Sequence, residues 1–149
     1  RVPFIVSWPK QLPAGKVCEV PVMAFDIFAT SVSAADGKIP TDKEYDSRNI
    51  LPILKGEQTE PPRSTLYWHP GGAHRIAIRH QNWKLLCNNK KAFEPMLFDL
   101  SKDLGETVDL ATKHPEKVKE LNALHQTWRE KMLRETKALL GEDFEGLAK

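Results

Sequence analysis

Hydrophobic and polar positions alternate with two different periods in this chain, and the change of period falls near its middle. Val2-Pro3-Phe4-Ile5-Val6-Ser7-Trp8-Pro9 is a short apolar run flanked by prolines, which predicts a buried strand whose missing N–H groups lie at its ends. Pro9, Pro13 and Gly15 then supply turn chemistry. Val22, Phe25, Phe28 and Val32 recur at three- and four-residue steps and predict an apolar helical stripe that stops before Gly37. Asn49 is placed to cap a brief helix through Leu54, closed by Gly56. Residues 57–63, with Pro61 and Pro62, read as a linker.

Beyond that linker the period becomes two. Leu66 and Trp68 alternate with Thr65 and Tyr67, Ile76 and Ile78 with Arg75, Ala77 and Arg79, and Trp83 and Leu85 with Lys84 and Leu86. The tight polar connection at His80, Gln81 and Asn82 predicts a hairpin between the middle pair, and Met96–Leu100 adds a fourth strand. An antiparallel sheet with one apolar face needs a cover. Pro115 and Glu116 suit a first helical turn, and Val118, Leu121, Leu124, Trp128 and Met132 repeat at helical spacing up to a stop at Gly141. The fold class is therefore α+β: a four-stranded antiparallel sheet covered by a long C-terminal helix.

Composition narrows the function classes. A 149-residue chain carrying 22 basic and 20 acidic residues has a net charge of +2, too weak a field to imply nucleic acid or an anionic membrane as partner. No run reaches the apolar length of a membrane span. Cys18 and Cys87 do not make a disulfide framework; buried free thiols are the expectation, with a single bridge between them as the alternative. The chain opens at Arg1 directly into an apolar run, as a piece of something longer would.

Several landmarks, in order, carry a resemblance to a known family. Arg1-Val2-Pro3 is similar to the end of an "EGGxRVP" segment, and Ser7-Trp8-Pro9 through Lys16 to "WPGKLPAG". Asp26-Ile27-Phe28-Ala29-Thr30 is similar to "LDIFPT", with Ala29 in place of proline, and Asp46 through Gly56 to "DGxNLLPLLxG". Trp83-Lys84-Leu85 and Leu97-Phe98-Asp99-Leu100 through Gly105-Glu106-Thr107 resemble "WKL" and "LYDL…DPGET", with Leu104 in place of proline. Together they resemble the C-terminal part of the sulfatase family, in the style of arylsulfatases and N-acetylgalactosamine-6-sulfatases. The resemblance implies the C-terminal part of an alkaline-phosphatase-like α/β fold. Residues 1–56 would be the last strand and helices of its large domain, and residues 57–149 the small C-terminal domain. It also implies a parent enzyme that hydrolyses sulfate esters with a calcium ion and a formylglycine residue. The partners it implies are an upstream sulfatase domain and a sulfated small molecule or glycan. It leaves the compartment open, a periplasmic or secreted one being compatible with the family.

The chemistry of such an enzyme does not lie in these residues. The formylglycine motif is C/S-x-P-x-R. Cys18-Glu19-Val20-Pro21 has its proline one residue late, and Ser7-Trp8-Pro9-Lys10-Gln11 has Gln11 where arginine is required. Asp99, Asp103, Glu106 and Asp109 lack the alternate-residue spacing of a calcium loop and read as turn and cap residues around Gly105. No catalytic or metal-binding residue is therefore assigned. His69, His74 and Arg75, in and beside the loop from His69 to His74, are the residues expected nearest a substrate, against the simpler reading of a solvated connection. Arg75, Arg79 and Lys84 offer either attraction for a sulfated glycan or a solvated sheet face. His114 and His125 read as helix-start and helix-face residues without a role. The leading expectation is a sulfatase segment inactive on its own. The alternative is a non-catalytic carbohydrate-binding or interaction module derived from one, and a phosphoryl-transfer relative ranks last.

Overall fold

The computed structural model describes residues 2–42, 44–69, 75–88 and 94–141. The chain divides into two compact units, Arg1–Arg63 and Ser64–Lys149.

In the first unit the expected strand at the start of the chain does not form: residues 2–7 carry no regular structure. Val2 and Ile5 are almost fully exposed. A central strand exists only through ladder partners on both sides, and none is supplied among the described residues of this unit. The first helix, α1 (Asp26–Ala34), also turns a different face inward than the apolar stripe suggests. Asp26 and Ala29 are fully buried, whereas Phe25 and Phe28 remain nearly half exposed. Phe28 stacks on Tyr45 with ring centroids 5.7 Å apart, and the Arg63 guanidinium lies 5.0 Å over the Phe25 ring. What decides the inward face is polar chemistry. The Ser47 hydroxyl accepts from the Ala29 N–H at 2.8 Å, and the Thr30 hydroxyl donates to the Asp26 carbonyl while accepting from the Ile50 N–H. Around Asp26 these bonds tie α1 to the segment entering the second helix.

That second helix, α2 (Leu51–Lys55), has Ile50 rather than the expected Asn49 at its N-cap and no side-chain cap bond there; Asn49, one residue earlier, accepts from the Leu51 N–H at 2.9 Å. Gly56 closes it in the left-handed region at φ 86°. A Cβ there would meet only the flexible end of the Lys16 side chain, so the backbone angle decides the cost. Gly56→Ala is expected to destabilise the first unit by about 1 kcal/mol, read as a lower denaturant midpoint for that unit at unchanged slope.

The second unit is a meander, β1 (Thr65–Trp68), β2 (Arg75–His80), β3 (Trp83–Asn88) and β4 (Met96–Asp99), antiparallel throughout and in that spatial order. The β2–β3 hairpin turns through Gln81 and Asn82, with Gln81 at φ 53°. Register sets Tyr67, Ile78, Leu85 and Leu97 in one row across the sheet. The last helix, α3 (Pro115–Leu140), covers this face, and Leu121 closes a core with Ile78, Leu85 and Leu97 in which all four are 0% exposed. Val118, Leu124, Trp83 and Cys87 pack around it. Cys87 and Cys18 are both free thiols; burial raises the Cys87 pKa, while Cys18 is exposed and so departs from the expected burial.

The polar turn after β4 is built from its acidic residues. Asp103 accepts from the Val108 N–H at 2.8 Å and from the Thr107 N–H at 2.7 Å, and these bonds hold its pKa below the ordinary value. Asp109 accepts from the Leu97 and Ala111 N–H groups. Asp99 accepts from the hydroxyl and N–H of Ser101, which lower its pKa as well. Glu106, at φ 56°, pairs with Lys84 at 2.5 Å.

Candidate functional site

Of the three residues expected beside a substrate, His69 follows β1 directly, and Arg75 opens β2 opposite Asn88. His74 lies outside the described residues. The other basic side chains on the sheet are engaged within it: Lys84 binds Glu106, and the Arg79 Nε–H donates to the Gln81 carbonyl at 3.0 Å.

His69 leads to a grouping that the sequence pattern did not single out. Its ring stands 6.2 Å from that of His125 on α3, centroid to centroid, with the planes only 13° apart. Alongside, Tyr67 stacks on Trp128 at 4.8 Å with an angle of 5° between rings. Trp128 lies tilted against both imidazoles, at 6.4 Å from His69 and 5.8 Å from His125. The end of β1 and the middle of α3 thus meet through aromatic rings. A cleft of about 200 Å³ opens beside them, lined by His69, Trp128, Arg129, Met132 and Thr136.

The electrostatics of this corner are unusual for a surface domain. His125 is 1% exposed. Burial, then the charges of His69 and Arg129, push its pKa down to about 4, so it is neutral at neutral pH. Neither His69 Nε2 nor His125 Nε2 has a hydrogen-bond partner among the described residues. A sequence signal for His125 did exist, in its spacing of four from Leu121 and three from Trp128 on the inward stripe, but a polar residue type argues against reading it as core.

The carboxylates tell the opposite story from a metal site. Among the described residues no three His, Cys, Asp or Glu side chains converge as ion ligands. Asp99, Asp103 and Asp109 spend their oxygens on N–H and hydroxyl donors of their own turns and, for Asp109, on the Leu97 N–H of β4. These residues do not fit a calcium ion.

The class is thus α+β: a small antiparallel sheet under one long helix, with its polar turn closed by Asp103 and the Lys84–Glu106 pair. The family of N-sulphoglucosamine sulphohydrolase C-terminal regions matches residues 1–136, and the chain belongs to it, within the sulfatases. Mouse (Mus musculus) steryl-sulfatase is 27% identical over 89% of this chain and 26% of its own length. The N-acetylgalactosamine-6-O-sulfatase of Bacteroides thetaiotaomicron is 29% identical, over 83% of this chain and 26% of its length. The solved structure of Ps i-CgsB in complex with k-i-k-neocarrahexaose superposes with a TM-score of 0.67 at 27% identity, covering 81% of this chain and 27% of that one. The chain thus spans about a quarter of the length of the relatives it matches.

Proposed function

We propose that this chain serves as the C-terminal part of an enzyme that hydrolyses a sulfate ester, on an aryl or sulfated-sugar substrate, and that it does so without supplying the reacting groups. The family match over residues 1–136 carries this reading. In that reading, residues 1–56 complete the large domain, where the apolar segment Val2–Trp8 becomes a central strand, and residues 57–149 form the small domain. His69, His74 and Arg75 border the mouth of the substrate pocket, where imidazole and guanidinium can donate to a sulfated sugar.

Sulfate ester hydrolysis requires a strong nucleophile, neutralisation of the sulfuryl oxygens and protonation of the leaving alcohol. In the parent, calcium and a formylglycine would supply the first two, bound to residues upstream of this chain. The part left to these residues is mechanical. The Ile78–Leu85–Leu97–Leu121 core ties the meander to α3, and β1 and β2 pair in register within it.

The test is an assay of the chain with 4-nitrophenyl sulfate and calcium. No turnover above a heat-killed control is expected from the chain alone. Activity is expected when the upstream part of the parent is added. Turnover by the chain alone overturns the proposal, and so does an upstream part that reaches full activity without it.

A further inference from the structure

We propose that the His69–His125 contact is a proton-operated joint, fastening the end of β1 to α3 while the His125 ring is neutral and releasing it when that ring takes up a proton. The geometry is that of a closed contact with no provision for charge. The two rings are near-parallel at 6.2 Å, and His125 is 1% exposed between its helix and the sheet. Each Nε2 lacks a hydrogen-bond partner among the described residues, so a proton added at His125 Nε2 finds no acceptor in place.

The groups around the pair add to the penalty. From α3, the Arg129 guanidinium raises the cost of a second positive charge. From β1, Tyr67 presents a phenol whose own pKa burial has raised, so it stays neutral and offers no countercharge. One turn before His125, Leu121 packs on the strands through the apolar residues Ile78, Leu85 and Leu97. A proton arriving on His125 is therefore accommodated only by separating its helix face from β1 or by admitting water.

The direction follows from linkage. His125 has a folded pKa of about 4 against an ordinary 6.5, so the open form, where the ring is solvated, binds the proton first. The joint is fully closed above about pH 6.5 and weakens as pH falls toward 4. The gap allows an increase of up to roughly 300-fold in the opening equilibrium, with no further change from this group at lower pH. Most of that window lies above the titration of ordinary carboxylates, so acid effects on Asp and Glu do not imitate it.

Hydrogen exchange of the full chain between pH 7 and pH 4, corrected for intrinsic rates, is the test. Amides of β1 and of the α3 segment around His125 are expected to lose protection progressively, while those of α2 do not. His125→Phe keeps a ring in the stack and cannot titrate, so its exchange is expected to be flat across the window. His69→Phe removes one neighbouring charge, and the His125 ring, followed by NMR, is expected to titrate at a higher pH than in the parent chain. Identical pH profiles for the parent chain and His125→Phe overturn the joint. Where His125→Phe fails to fold, the ring titration of the unmodified chain decides: a midpoint near 6.5 overturns the proposal, and one below 5 supports it.

Discussion

Replacing Asp26 with alanine is expected to cost the first unit about 3–5 kcal/mol, the largest effect of any single polar substitution among the described residues. The carboxylate is fully buried and has every acceptor position in use. Oδ2 accepts from the Met23 N–H and Arg63 Nη1, each at 2.8 Å, and Oδ1 accepts from the Arg48 N–H at 2.9 Å and Arg63 Nη2 at 2.5 Å. One side chain thus joins the entry of α1, the segment before α2 and the end of the unit. Removing it strands two backbone donors and a largely buried guanidinium, whose side chain is 16% exposed. Most of the cost is that unpaired charge, so the double variant Asp26→Ala/Arg63→Met is expected to recover a good part of it. The measurement is denaturant unfolding read by hydrogen exchange at Met23, Arg48 and α1. A single variant within 0.5 kcal/mol of the parent chain contradicts the assignment, as does a double variant that is fully additive.

Acid titration separates this pair from the histidine joint. Burial by itself would raise the Asp26 pKa, but the Arg63 hydrogen bonds, the Met23 and Arg48 amides and the Arg63 charge outweigh it and hold the pKa below 3.8. A depressed carboxylate pKa contributes stability that is present above the unfolded value and is lost as pH falls below it. The first unit therefore keeps the Asp26 contribution down to about pH 4, the range over which the second unit is losing that of His125.

The contrast between these groups also shows what could be read from the sequence. The meander and its helix were legible because period-two and period-3.6 patterns report directly on burial when an element has one wet face. Thr65–Trp68, the hairpin at Gln81–Asn82 and the stop at Gly141 all lie where turn chemistry puts them. The family resemblance was legible from turn and strand residues such as Trp83-Lys84-Leu85. In α1 the pattern misled, because Phe25 and Phe28 look like core while Asp26 looks like surface. Only the distant Arg63 makes an aspartate the inward residue, and no local window contains that information. Val2–Trp8 misled for a related reason, since a strand is a property of its neighbours. His125 was hidden because its burial depends on His69 arriving from the end of β1, a separate element that no window on α3 contains.

In the second unit, Leu85→Ala is expected to destabilise by about 3–4 kcal/mol. Leu85 occupies the middle of the row Tyr67–Ile78–Leu85–Leu97, between the two strands that flank its own, and faces Leu121 of α3 from a position with no exposure. Truncation removes three carbons from a site walled by two strand neighbours and a helix. None of these can move inward without breaking ladder register, so the cavity stays largely open and its cost adds to the lost transfer energy. The adjacent Leu86 is the internal control. It has the same composition and strand but points to the opposite face, where it is only partly buried, and Leu86→Ala is expected to cost about 1 kcal/mol. A slip of β3 by one residue would exchange the two faces and reverse the order of the two losses. Denaturant midpoints for both variants, at unchanged slope, test the register as well as the core: equal losses, or a greater loss at Leu86, would show that the helix covers the other side of the sheet.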